Sequence, residues 1–363
     1  MNTDKTLKTK ELLAIILLFI GVKMSDSTAA MFSQHAQNAY WLIIVVSLLV
    51  MLPPFFLLLY LLRKFKDKNL IELIEHLLGN FIGKFTGFTI FLLSFALMIL
   101  DSRNYVEEIK LLYFPESPTA SIFYIFIAVC FFGAKRGFET IGVTSWIILP
   151  FIKISMFFLG FLILGQITWY RIFPIFGNGL DVILTQGIKK ASIFSEFIIL
   201  TIAYTSFRNT KIFQRGSKIG FALVSFELVF FFLLYALIFD YNSIEKLAYP
   251  YHDITQFVNF GDFFTNVETF FMVFWLSAAY LRFIIYLYLI AMIFGYVFNV
   301  KEYETLLLPL GFITVTLGLL TENAVINELY LRETLLTIST PVFVLLPVLL
   351  WLTALIKGDL KRS

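Results

Sequence analysis

The chain has 363 residues, of which 59% are hydrophobic and 15% charged, with 44 Phe and a mean hydropathy of +0.86. That composition excludes a soluble globular domain, because apolar runs of bilayer-spanning length recur along the whole chain and leave no soluble unit to assign. The formal net charge of +3 resides in short basic loops, gives no reason to invoke nucleic acid, and suits contact with anionic lipid headgroups.

In chain order, "MNTDKTLKTKE" is polar and basic and precedes a segment with no small-residue cleavage site, so it reads as a cytoplasmic tail. Ten spanning helices are predicted over 11–33, 40–62, 83–113, 119–134, 138–165, 181–206, 218–240, 263–299, 302–321 and 332–356. Lys5, Lys8 and Lys10 mark the tail. Arg63, Lys64, Lys66, Lys68 and Lys84 mark the loop after span two. Lys135, Arg136, Arg208, Lys211, Arg215, Lys218 and Lys301 fall in alternate loops, and Lys357, Lys361 and Arg362 at the end. The intervening loops carry only Arg103, Lys110, Arg171, Lys246 and Arg332, so both termini are expected inside. Cys130, in "FIAVCFF", is the sole cysteine and reads as packing.

Ten spans form one transmembrane domain, 1–363, that divides into a five-helix repeat over 1–165 and a second, inverted one over 181–356. Each half opens with an interrupted helix. In the first the interruption is "GVKMSDS", residues 21–27; in the second it is "KKASIFSEF", residues 189–197, with Ser192, Ser195 and Glu196 near mid-membrane. Unwound backbone is tolerated inside a bilayer only where it lines a cavity, so paired breaks mark a transporter-type binding site.

Two stretches carry a family resemblance. "DSRNYVEEIKLLYFPESP", residues 101–118, and "YPYHDITQFVNFGDFFTNVETFFMVFW", residues 249–275, are similar to the end of the third span and the outer loop and eighth span of the B subunits of Ger-type spore germinant receptors. Glu268 and Trp275 stand in the expected places; Asn266 stands where relatives often carry a basic residue, and the first break has a single glycine, Gly21. The resemblance covers essentially the whole chain. It implies an all-α polytopic fold of the amino acid–polyamine–organocation transporter superfamily, with a five-plus-five inverted (LeuT-like) arrangement. It further implies a germinant pocket between spans one, three, six and eight, and assembly with A and C subunits in the inner membrane of a dormant spore.

At the first break, Ser25 or Asp26 suits a helix N-cap whose free N–H groups would meet a carboxylate, and Gly21 admits a ligand close to the backbone. Lys23 adds a full charge that is costly at this depth unless paired or hydrated. Gly21, Lys23 and Ser25 are therefore candidates for binding a carboxylate, with Asp26 as cap or amine acceptor. The alternative is a Lys23–Asp26 pair one turn apart. Lys153, in "ILPFIKISMFF", has no partner in its own helix; it looks similar to the Lys that replaces a sodium ion in sodium-independent members of the superfamily, and is a candidate to carry a coupling proton or to tie the halves through Asp101, Asp26 or a carbonyl. Ser192, Ser195 and Glu196, with Ser94, Met98, Ser277 and Tyr280, complete the candidate ligand-binding set. Arg103, Glu107, Glu268 and Arg282 are candidates for structural or partner contacts, Arg282 opposite Glu196 or Asp101.

An enzymatic reading has no support. His35, His76 and His252 lie in or near loops, and no metal-ligand cluster, phosphate loop, nucleophile elbow or cofactor motif is present. The expected activity is sensing of a small germinant, an amino acid first, relayed to partner subunits; a proton-coupled amino acid permease is the second reading.

Overall fold

The computed structural model describes residues 7–207, 209–258, 267–321 and 326–360. Asn266 and the preceding part of the second family-like stretch, 259–265, lie outside them.

Helix α1, Thr9–Phe19, starts where the Glu11 side chain reaches back to accept the Lys8 amide at Oε2, at 2.9 Å. Its apolar residues are buried almost all round, which makes it an interior helix. It passes through a 3-10 turn, Gly21–Ser25, and resumes as α2, Thr28–Ala36. Helix α3, Tyr40–Lys64, follows.

The loop predicted after span two contains a short helix, α4, Leu70–Leu78. Hydropathy alone passes over it because it is amphipathic, burying Leu70, Ile71, Leu73, Ile74 and Leu77. Its start is specified locally: the Glu72 amide donates to Asn69 Oδ1 at 3.0 Å, and the Asn69 amide to Glu72 Oε2 at 2.8 Å. Gly79, at φ +84°, turns the chain into α5, Asn80–Tyr113, a conformation that costs any other residue strain. Helices α6, Thr119–Ala134, and α7, Phe138–Leu162, complete the first half.

The second half repeats the interruption. Helix α8, Leu180–Lys189, gives way to a 3-10 turn, Ala191–Phe194, a single helical turn α9, Glu196–Ile199, and a further 3-10 stretch, Leu200–Ser206. Helix α10 runs Thr210–Ile238, beginning before the predicted 218 because Asn209 caps it, accepting the Ile212 amide at 2.9 Å. The small helices α11, Tyr241–Ile244, and α12, Pro250–Gln256, precede α13, Val267–Phe298. Helix α14 is Leu307–Gly318, and a π-helical turn, Asn327–Arg332, leads into α15, Glu333–Ile356.

Six helical stretches among the described residues are long and apolar enough to cross a membrane: Thr28–Lys64, Asn80–Tyr113, Phe138–Leu162, Thr210–Ile238, Glu268–Phe298 and Asn327–Ile356. The other predicted spans correspond to shorter apolar helices or to the two broken ones. The most apolar window of α13 is 83% buried, the largest share of the six, so this helix is the interior post. Phe157, Phe161, Phe226 and Phe230 on α7 and α10 are exposed, a surface suited to hydrocarbon.

A close seam joins α1 to α10. Gly216 and Gly220, four residues apart, receive Leu12 and Ile16; a Cβ at either glycine would come within 2.7 Å of those side chains. This is a small-xxx-small contact, which in lipid substitutes close packing for the missing hydrophobic drive. Gly220→Leu is expected to destabilise the protein by roughly 1–3 kcal/mol through overpacking. Gly160→Leu, at a position with nothing within 4 Å, should leave stability unchanged. Thermal unfolding of the detergent-solubilised protein, followed by size exclusion, compares the two.

Candidate ligand site

The first break supplies Lys23 and the second supplies its partners. Lys23 Nζ donates to the Ile193 carbonyl in the 3-10 turn of the second break and lies 2.6 Å from Glu196 Oε1 and 2.7 Å from Oε2. Glu196 Oε1 is 3.2 Å from Arg282 Nη2, which is 2.7 Å from Asp101 Oδ2; Arg282 Nη1 donates to the Phe19 carbonyl at the end of α1. Asp101 Oδ1 is 2.9 Å from Arg332 Nε, and Arg332 Nη2 is 3.0 Å from Asp26 Oδ2. Signs alternate along this path, and it returns to the break it left, since Lys23 and Asp26 flank the same turn. Asp26 Oδ1 also accepts the Thr28 amide at 2.9 Å, which satisfies the first free N–H of α2, although the N-cap position itself is Ser27. Arg332 further donates to Thr28 Oγ1 at 3.0 Å and to Glu328, which in turn accepts from Asn104.

All seven charged groups are buried. Dehydrating them costs several kcal/mol per ion, recovered only because each meets an opposite charge and further hydrogen bonds. The alternative Lys23–Asp26 pair does not form, because each residue finds a better-placed partner on another helix.

The structure separates the other candidates. Ser25 Oγ donates to the Val22 carbonyl at 2.7 Å and accepts Trp275 Nε1–H at 2.9 Å. Ser192 is turned to α15: its amide meets Thr340 Oγ1 at 2.9 Å and its hydroxyl the Leu336 carbonyl at 2.6 Å. Ser195 Oγ is buried without a hydrogen-bond partner among the described residues. Ser277 and Tyr280 do not join the site. At about 100° per residue, Trp275 and Arg282 share one face of α13 and Ser277 lies about 200° from Trp275. Ser277 accordingly bonds back to the Val273 carbonyl, and Tyr280 stacks on Phe126 of α6 at 5.0 Å. Ser94 and Met98 are buried on α5 but do not line the cavity beside the first break, because that space opens toward α7 and α10. Arg103 pairs with Glu107 one turn away, and Glu268 is exposed at the start of α13. Arg332, read as a loop residue at the start of span ten, is a buried member of the network.

The expected partners of Lys153 are also corrected. It pairs with Glu227 of α10. These two line a small cavity with Gly21, Met24, Ser25 and Trp275, on the side of the first break away from the charge path. Above it, Trp275 is sandwiched against Tyr105, stacked at 5.8 Å, and the edge of His252 at 4.6 Å. Burial holds the His252 imidazole down to about 3, so at neutral pH a neutral ring faces Glu108 Oε1, 2.9 Å from its Nε2. A second recess, lined by Ser27, Gln34, Asn104, Glu245, Tyr249 and Glu328, opens on the face that carries α11.

The family model described as spore germination protein matches residues 6–325. The chain belongs to the spore germination permease family. This family sits in the amino acid–polyamine–organocation superfamily. Among its relatives, the putative spore germination protein YfkT of Bacillus subtilis (strain 168) is 24% identical over 359 residues, covering 96% of each chain. Spore germination protein XB of Bacillus anthracis is 27% identical over 132 residues, 35% of this chain and 37% of that one. Two solved structures share the fold. Mhp1, a nucleobase-cation-symport-1 family transporter in a closed conformation with bromovinylhydantoin bound, superposes with a TM-score of 0.65 at 16% identity, covering 93% of this chain and 76% of that one. A mutant manganese transporter of Eremococcus coleocola gives 0.57 at 14% identity with the same coverage. This protein therefore has the LeuT-like transporter fold and is an integral membrane protein.

Several residues of the site escape a reading by span. Glu227 is the lone acid in "VSFELVFFF", a signal equal to that of Lys153, and Arg332 sits at a span end where a charge looks like a loop residue; Asp101 stands opposite Arg282, as expected. In this protein, Asp101→Ala leaves two guanidinium groups facing each other and is expected to cost about 3–5 kcal/mol. Lys23→Met with Glu196→Gln, which removes a cation and an anion together, should cost less than the sum of the two single changes. Thermal unfolding of the four variants gives both comparisons.

Proposed function

We propose that this chain is the nutrient-sensing subunit of a spore germinant receptor. A small nutrient, an amino acid first, binds at mid-membrane beside the interrupted helices. The altered contact between the two breaks passes to A and C subunits and starts germination. Family membership and the germination proteins among its relatives support the setting. The observation that carries the mechanism is the Lys23 contact with Ile193 and Glu196, a single side chain on which both broken helices depend. A ligand that alters the geometry of the first break shifts the balance between latched and unlatched states by its difference in affinity for them. The protein would reside in the spore inner membrane with both termini in the cytoplasm, as the basic loops favour.

A working permease that moves an amino acid with a proton on Lys153 is the second reading, favoured by the transporter fold of the structural neighbours. Labelled amino acid counterflow by the chain alone in proteoliposomes separates the readings: uptake identifies a permease, and its absence with folded protein favours the sensor. In spores, Lys23→Met, and Lys23→Met with Glu196→Gln, should each abolish nutrient-triggered loss of optical density, compared at matched protein level by immunoblot. An unchanged response would sink the latch.

A further inference from the structure

Lys153 and Glu227 stand apart from the charge path. They lie near the middles of α7 and α10, the helices Phe138–Leu162 and Thr210–Ile238, where an ion pair is costly to keep. Their side chains are 19% and 11% exposed, more than those of any acid–base pair in the path. Both groups are under-coordinated. An ammonium has three N–H donors; among the described residues that of Lys153 meets, apart from Glu227 Oε1, Met156 Sδ at 3.7 Å. Glu227 Oε2 has no hydrogen bond among the described residues and faces Gly21, coming within 3.3 Å of where a Cβ would stand.

The pair also divides two spaces. On one side is the cavity beside the first break, walled by Met24, Met156, Phe274 and Trp275. On the other is an apolar groove between α7 and α10, lined by Phe157, Phe161, Phe226 and Phe230. Lys153 and Glu227 line both.

We infer that the Lys153–Glu227 pair is a clamp for a zwitterionic α-amino acid, whose carboxylate takes the ammonium of Lys153 and whose ammonium takes the carboxylate of Glu227. The ligand exchanges one internal ion pair for two ligand contacts, so no charge is left unpaired in the membrane when it enters or leaves. The methionine and aromatic walls receive an apolar side chain, and Met can repack around side chains of different shape. Because Glu227 touches the chain at Gly21, parting the pair acts on the first break directly. The inference rests on the reading that the protein takes a small ligand at mid-membrane.

The test is scintillation-proximity binding of tritiated glycine, L-alanine and L-valine to the purified full-length chain in lipid nanodiscs. Binding should be displaced by unlabelled α-amino acids and not by propionate or ethylamine at the same concentration. Lys153→Met and Glu227→Gln should each weaken it by about 30-fold or more, the loss expected for one buried charge contact. The double variant Lys153→Met with Glu227→Leu leaves no orphaned charge, folds, and should not bind. Equal displacement by propionate or ethylamine overturns the clamp on wild-type protein alone, as does the absence of zwitterion binding. So does retained binding in the folded double variant. Spore germination assays judge the sensing reading separately: a wild-type response to a nutrient that is not a zwitterion would discard the clamp and keep the sensor, whereas no nutrient response with intact zwitterion binding would do the reverse.

Discussion

A lysine ammonium held against a backbone carbonyl and a carboxylate joins the two interrupted helices of this protein, and the interior is arranged around that contact. Lys23 could not remain charged in hydrocarbon alone; it is stable because the second break offers Ile193 and Glu196 at the same depth. Glu196 then requires Arg282, Arg282 requires Asp101, and the sequence of opposite charges ends on Asp26, at the far side of the turn where it began. Removing one member exposes its neighbours to an unpaired charge, so the path behaves as one unit rather than as separate bridges.

Packing and charge divide the work around the first break. On one side, α1 seats Leu12 and Ile16 against Gly216 and Gly220, where van der Waals contact decides the spacing. Further along the same helix, Glu227 reaches Gly21 and Lys153, so α10 contributes both a rigid seam and a polar contact to the unwound segment. An element fixed at one end and held by a separable ion pair at the other is suited to respond to a small ligand.

Much of the fold was legible because lipid imposes a simple rule: backbone groups must be satisfied within a segment, so long apolar runs are helices and polar interruptions inside them have a reason. That rule exposed the breaks at 21–27 and 189–197 and flagged Lys23, Lys153 and Glu196. It failed where burial depends on neighbours. Helix α4 was lost among loop residues because its apolar stripe is short, and Arg332 was lost because a charge beside an apolar run looks the same whether it faces water or an aspartate. Ser277 and Tyr280 have the right position along α13 and the wrong angle around it, a distinction that needs the packing against α6 to be known.

By itself the sequence determined that this is an all-helical membrane protein with two interrupted helices, because hydropathy and the cost of unsatisfied backbone act within a single segment. Only the tertiary structure decided which charge answers which: Lys23 with Glu196 rather than Asp26, Arg332 with Asp101 and Asp26, and Lys153 with Glu227. The reason is physical. Coulomb attraction in a dry interior depends on distance and direction between helices, and residues 173 positions apart, such as Lys23 and Glu196, have no spacing that reveals it.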